Sequence, residues 1–503
     1  MLAAQDRECD VPDLEIPLCF RQRRQERVIM AIIEELRGPW DLIIVGHGFA
    51  GLSTARAALE DAAAAGRTLR VAVLERATEA DRGGSTMWTH AYLRLTGDGE
   101  LDPTWVENVR ANAGSRANED YIQAFVENVP TTLRWLHEAG VETPSQPVPS
   151  SPTGYSWNVG GGGRAVIEAF VPRIVDAGGR FFYETTARHL AVGEDGSIRG
   201  LVVTASDGST VTMESRAVVL ACGGFEGDPE MLTRYLPNAY QLTTVSPGTD
   251  NNRGDGIRMA VEIGADTAGQ FDGAHIEPCD PRVSDVEPLV ATWFYGILVD
   301  GAGRRFMDEA SQGYDLQFDR VANTIFRKQL GTAYAIIDEG IQRTVPWAVA
   351  MNSGAADPVV ADTIEELAVK LGIDAEALAH TVDEFNAAAA GNAIDPFTFL
   401  DGVGTRGITP PKSNFAAPLA EGPFSAWPIG PRICFTYGGL RVDGSGRVLN
   451  VAGKAIPGLY AAGEIAGIFY NEYPAGTSGL RSMTFGRLTG KTVVREAAAA
   501  LAV

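Results

Sequence analysis

A chain of 503 residues with 45% hydrophobic side chains can bury a large core and build more than one domain, which excludes a disordered polypeptide. Its 42 Lys and Arg stand against 64 Asp and Glu, and a formal charge of −22 repels nucleic acid and anionic lipid, so neither is an expected partner. Cys9, Cys19, Cys222, Cys279 and Cys434 are scattered without a CxxC pair, which argues against a disulfide framework or zinc site and for the cytoplasm.

In chain order, residues 1–39 read as an N-terminal extension. Asp6, Arg7, Glu8 and Asp10 precede any apolar stretch, which does not fit a signal peptide, and no apolar run reaches the roughly 18 residues of a membrane span. Residues 21–37 predict an amphipathic helix with a basic start, expected to pack on the neighbouring domain. The segment 41–66 then reads as an apolar strand, a glycine turn and an Ala-rich helix, and 69–76 as a second apolar strand ending in an acid. Together they predict a βαβ unit.

The segment AVVLACGG at 217–224 has the same buried-strand character, and GLRVDGSGRVLN at 439–450 reads as a strand. A final helix is expected from about Leu480. The nucleotide fold thus recurs on both sides of an insert, giving expected divisions of 40–271, 272–434 and 435–503. The fold class is α/β, a Rossmann-like dinucleotide domain with an inserted α+β capping domain. Inside the insert, 363–372 and 375–391 predict periodic helices assigned to packing.

Gly46, Gly48 and Gly51 form GxGxxG at the first strand-to-helix turn, where missing side chains let backbone N–H groups and the helix dipole approach a pyrophosphate. Glu75, at the end of the second strand, is placed to accept hydrogen bonds from a ribose. This fingerprint is shared by FAD and NAD. Four further Gly-rich segments, Arg82 to Thr86, Gly160 to Gly163, Ala221 to Phe225 and Leu459 to Glu464, fit the contacts of a large extended FAD better than those of a nicotinamide cofactor. The expected FAD-binding residues are Gly46, Gly48, Phe49, Ala50, Gly51, Glu75, Arg76, Gly84, Ser85, Thr86, Gly161, Gly162, Gly163, Ala187, Gly223, Gly463, Glu464, Gly479 and Leu480. His47 and Trp88 are assigned to packing.

The order DLIIVGHGFAGLSTA, LERA, RGGST, GGGGRA, AVVLACGGF, GDGIRMAVEIGA, GRRFMDE, GLYAAGE and MTFGRLTG resembles the flavoprotein family of fumarate reductase and succinate dehydrogenase, which includes 3-ketosteroid dehydrogenases and tricarballylate dehydrogenase. TPPKSNFA, FTYGGLRVD and YPAGTSGL are most similar to the tricarballylate branch. The resemblance implies an FAD fold with a capping domain and catalysis at their interface. It places Ser85 and Thr86 near the isoalloxazine, Glu464 near the ribityl chain or diphosphate, and Gly479 with Leu480 at a helix N-terminus facing the flavin. No counterpart of a flavin-linked histidine is seen, so the FAD is expected to be non-covalent.

Where fumarate reductases of that family carry a His and two Arg, this chain has Phe435, Tyr473 and Tyr314. Losing those groups removes much of the bidentate pairing that a dicarboxylate requires. Tyr314, after GRRFMDEASQG, and Tyr473, in YPAGTSGL, instead resemble the tyrosines of 3-ketosteroid dehydrogenases that move a proton and bind the ketone. His275 in FDGAHIEP matches the family's substrate-side histidine, and Arg481 and Arg432 are candidates to hold a substrate carboxylate. A tyrosine starts near a pKa of about 10, so Tyr314 as a base needs a second hydroxyl or a positive field. The expected activity is FAD-dependent dehydrogenation or reduction of a C–C bond α,β to a carbonyl, on a small ketone or enone, with an electron partner left open. Two rivals stand beside it, a tricarballylate-type carboxylate dehydrogenase and a flavin subunit passing electrons to a partner protein.

Overall fold

The computed structural model describes residues 30–148, 151–284 and 286–501. The run Leu42–Val45 has no polar side chain to leave outside, and it is a fully buried strand inside a six-stranded sheet. Val71–Leu74 and Val218–Leu220 flank it in parallel, and Arg180–Phe182 and Ala455–Ala461 extend the parallel set outward. Arg447–Leu449 closes one edge antiparallel. Helix Phe49–Ala64 joins the first two strands, completing the expected βαβ unit. Because the strands on the two sides of Leu42–Val45 come from separate parts of the chain, their carboxyl ends open a crevice where such sheets bind ligands.

The last helix, Ser478–Leu501, begins two residues before the predicted start. It lies against helix Phe49–Ala64, and Gly486 and Gly490 make the approach possible: a Cβ there would fall 2.4 Å from the Ala50 carbonyl oxygen and 2.5 Å from that of Thr54. Four residues apart, the two glycines share one helix face. The N-terminal helix is seen over residues 30–36, with Ile33 and Leu36 buried in the main core; residues 21–29 of the prediction lie outside the described residues.

A second sheet is organised by the long strand Phe424–Thr436, which pairs antiparallel with Ala333–Asp338, Val359–Ala361 and Ala274–Cys279 and parallel with Thr243–Thr244. This strand crosses between two hydrophobic clusters: Phe424, Trp427 and Ile429 belong to one that gathers residues from Val290 onward, while Ile433 and Phe435 belong to the main core. Helix Tyr314–Arg327 straddles the same divide, giving Val321 and Ile325 to one cluster and Ala322 and Phe326 to the other. The two periodic helices form at Ile364–Leu371 and Ala375–Ala388, capped by Thr363 and Asp374, and they bury Leu367, Leu378 and Phe385. Among the described residues no helix is long and apolar enough to cross a membrane.

Candidate active site

A cavity of about 940 Å³ lies between the two clusters, running from the glycine turn of the first strand to the aromatic side chains of the second. At its inner end Gly46 has φ +114°, which only glycine adopts without strain, and bare backbone faces the N-terminus of helix Phe49–Ala64. No side chain caps Gly48 there; the Phe49 N–H donates to Thr86 Oγ1 at 2.9 Å. Both ring nitrogens of His47, in the same turn, are buried without a hydrogen-bond partner, its ring packs on Phe181 and Tyr183 at 5.0 and 5.8 Å, and burial lowers its pKa to about 3, so the ring is neutral. The ring therefore packs and lines the cavity at once.

Glu75 ends its strand against this cavity, accepting from the N–H of Ala77 at 2.9 Å and of Gly83 at 3.4 Å, which fixes the carboxylate while leaving it lone pairs. Ala50, Arg76, Gly84, Ser85, Thr86, Ala187, Gly223, Gly463 and Gly479 join the wall. Five predicted contacts do not. Gly51 and Leu480 are buried behind the wall, Gly161 and Gly162 open helix Gly162–Asp176, and Gly163 meets the turn Gly84–Met87 at Thr86. A Cβ on Gly163 would sit 1.8 Å from the Thr86 carbonyl oxygen, so that glycine serves packing. Trp88 lines a separate cavity of about 560 Å³ that abuts Arg76.

Glu464 also lines the cavity, and Glu226 touches it from behind. Thr436 N–H donates to Glu464 Oε1 at 3.0 Å, and Asn252 Nδ2 donates to Glu226 Oε1 at 2.6 Å. Burial, then the neighbouring carboxylate, holds Glu226 well above the usual carboxylate range, so the pair keeps a proton. A carboxyl raised on folding favours the native state below its unfolded value of 4.5, and that advantage is lost as pH rises through the folded pKa. Thermal melts of wild type and Glu226→Gln should therefore diverge, the variant gaining on wild type as pH rises above 4.5. Parallel pH profiles would show that Glu226 ionises freely.

The outer part of the cavity brings Tyr314, Tyr473, His275 and Arg481 together. Tyr473 is held by the last helix: its hydroxyl oxygen accepts from the N–H of Thr477 at 3.0 Å and of Ser478 at 2.9 Å, which leaves its own O–H to donate. The His275 ring lies 4.8 Å from the Tyr473 ring and 5.0 Å from that of Phe435. Burial alone would lower the His275 pKa, but hydrogen bonds to Asp319 at 2.6 Å and to Glu277 outweigh it and lift it to about 9. Tyr437 O–H donates to the other Asp319 oxygen at 3.3 Å.

Tyr314 opens helix Tyr314–Arg327, its ring stacked on Trp293 at 5.8 Å and edge-on to Phe294 and Phe318. The groups acting on the Tyr314 phenol are acids and the phenols of Tyr92 and Tyr295 rather than cations. Burial raises the phenol well above 10, and Asp315 and Glu277 push the same way, so it rests as a neutral phenol. The two candidate arginines differ: Arg481 keeps its Nε buried without a hydrogen-bond partner, while Arg432 is engaged elsewhere. Arg481 Nη1 donates to Tyr121 Oη at 3.1 Å and to the Gly463 carbonyl at 3.2 Å, and its guanidinium lies over Phe469. Arg432 reaches the backbone carbonyls of Val283 and Asp280 and does not line the cavity. Arg94, which sequence reasoning passed over, lines the wall but pairs with buried Asp102 at 2.7 Å.

The glycine turn, the fixed Glu75 and the orphaned His47 nitrogens fit a dinucleotide, and the profile of the FAD_binding_2 family, an FAD binding domain, matches residues 41–480. The chain belongs to the FAD_binding_2 family. FAD is its cofactor, and the residues lining the inner cavity are those that would hold it. Among relatives, the chain is similar to NADH:acrylate oxidoreductase of Vibrio harveyi, 27% identical over 390 residues that cover 74% of this chain and 36% of that protein. It therefore spans about a third of that relative's length. It is 28% identical over 559 residues to 4-oxocyclohexanecarboxylate 2-dehydrogenase of Sinomonas cyclohexanicum, covering 92% and 94% of the two chains. The fold of this FAD_binding_2 member is that of the 3-ketosteroid-Δ4-(5α)-dehydrogenase from Rhodococcus jostii, with a TM-score of 0.68 at 24% identity over 91% of this chain and 97% of that one.

Proposed function

We propose that this FAD-dependent oxidoreductase transforms a C–C bond α,β to a carbonyl in a ketone or enone, with residues 272–434 capping the substrate over a non-covalent flavin. The observation that carries the reading is Tyr473, whose hydroxyl oxygen takes two helix N–H bonds and so presents its proton to a carbonyl oxygen in the cavity. Bound FAD supplies or accepts the hydride. Tyr473 polarises the carbonyl, and His275, cationic beside it, favours the negative charge that develops on oxygen. Tyr314 holds the proton destined for the α-carbon.

The neutral phenol of Tyr314 is the form that donates a proton when an alkene is reduced, and dehydrogenation would use the residue as the base. The engagement of Arg94 and Arg432 weighs against a carboxylate substrate, whereas the unpartnered Nε of Arg481 and the similarity to an oxocyclohexanecarboxylate dehydrogenase keep a keto acid as the second reading. A cytoplasmic enzyme with a separate electron donor fits this reading. Tyr314→Phe removes only a hydroxyl. FAD content and melting temperature should persist, while re-oxidation of the reduced flavin by an enone slows about 10²- to 10⁴-fold in anaerobic stopped flow. A near-normal rate would make Tyr314 a packing residue.

A further inference from the structure

The substrate end of the cavity carries an acid that the reaction above does not use. Glu277 follows His275 by two residues on strand Ala274–Cys279, so both side chains leave the same face of the strand. It is 8% exposed and lines the cavity. Its Oε1 lies 3.4 Å from His275 Nε2, while Oε2 is buried with no hydrogen-bond partner. An unpartnered buried carboxylate oxygen is costly, and rotation about the terminal bond presents either oxygen to a ligand.

The groups around Glu277 leave that acceptor unsatisfied. Glu287 is held by His90 at 3.0 Å, His275 is shared with Asp319, Arg94 is paired with Asp102, and Asp315 adds another acid to the same wall. A ligand carboxylate would meet the like-charged Glu277, Glu287 and Asp315 here, with His275 already shared between Asp319 and Glu277. The same cavity is also lined by the rings of Tyr92, Tyr314, Phe318, Trp347, Phe397 and Phe435. His275, Glu277 and Cys434 bring possible ligand atoms within 4.8 Å of one another, which makes a cation the competing occupant.

We propose that Glu277 is a specificity residue that accepts a hydrogen bond from a hydroxyl group on an uncharged, ring-bearing substrate. This rests on the ketone or enone reading and narrows it. A hydroxyl completes the carboxylate's hydrogen bonding, and aromatic walls take the ring's faces. An analogue without the donor leaves the acid unpaired, which is how buried polar groups discriminate.

The test uses FAD-loaded protein and three ligands without a reducible C=C bond, followed by the change in flavin absorbance on binding. 4-Hydroxyacetophenone carries a carbonyl and a donor, 4-methoxyacetophenone lacks only the donor, and 4-acetylbenzoate replaces it with a carboxylate. Wild type should bind the first roughly 10- to 100-fold tighter than the other two, the range expected for a hydrogen bond to a charged group. Glu277→Gln should bring the three affinities together, and Glu277→Asp, which withdraws the carboxylate, should weaken the preference in a second fold-conserving variant. Equal binding by wild type, tightest binding of the carboxylate, a preference unchanged in Glu277→Gln, or one abolished by EDTA would overturn the proposal. Re-oxidation of the reduced flavin by cyclohex-2-enone, which has no donor, tests the underlying reaction separately. Success there with no ligand preference removes only the role of Glu277; the reverse pattern removes the reaction and keeps the binding site.

Discussion

Gly51→Val is expected to give protein that does not retain FAD. A Cβ at position 51 would fall 1.9 Å from the Gly46 carbonyl oxygen and 3.4 Å from Ile44 Cγ2, so even alanine overlaps backbone and a branched side chain adds contact with the strand. Neither neighbour can yield, because Gly46 itself is wedged against Ala221: a Cβ there would lie 2.2 Å from the Ala221 carbonyl oxygen. The helix Phe49–Ala64 must move off the turn, and its N-terminal N–H groups leave the position from which they meet a pyrophosphate. Flavin absorbance after gel filtration in excess FAD is the readout. Stoichiometric FAD in Gly51→Val would show that the turn is not the cofactor cradle.

Tyr473→Phe should lower the rate of enone reduction by about 10²- to 10³-fold, the loss seen when one oxyanion donor is removed. The phenylalanine also strands the N–H groups of Thr477 and Ser478, which lose their acceptor at the start of the last helix. A drop in stability of about 1 kcal/mol is expected alongside, comparable to a lost helix cap. The two effects separate in the kinetics. A purely structural role lowers melting temperature and leaves the rate per bound flavin intact, whereas a carbonyl donor lowers that rate even in protein with full FAD content.

The inner half of the site was legible because its determinants are local. A strand, a glycine turn and a helix follow one another within 25 residues of sequence, and the acid at the end of the next strand lands beside them through ordinary βαβ geometry. Glycine alone does not say why it is there, however. Gly46 and Gly163 look alike in sequence, yet one opens the cradle and the other clears the Thr86 carbonyl. MTFGRLTG was visible only as a motif; the structure gives its cause, the close crossing of the last helix on Phe49–Ala64 at Gly486 and Gly490.

The outer half was less legible because its partners are far apart in the chain. His275 was singled out, but Asp319, which helps keep it cationic, lies 44 residues on and reaches it through the packing of helix Tyr314–Arg327 on strand Ala274–Cys279. Arg481 reads as an anion anchor in sequence, since nothing local reveals that the Gly463 and Ala466 carbonyls will take its protons. Glu277 had a faint signal, an acid two residues from a candidate histidine, but the strand that puts both on one face and its unpartnered oxygen are facts of the fold.

The most direct test of the account is a single anaerobic half-reaction: photoreduced enzyme mixed with cyclohex-2-enone in one syringe and with fumarate in another, followed at the oxidised-flavin absorbance. The expected result is that the enone restores the oxidised flavin and yields cyclohexanone, while fumarate, which finds Arg94 engaged by Asp102 and Arg432 by backbone carbonyls, leaves the flavin reduced. Rapid re-oxidation by fumarate with none by the enone would contradict it.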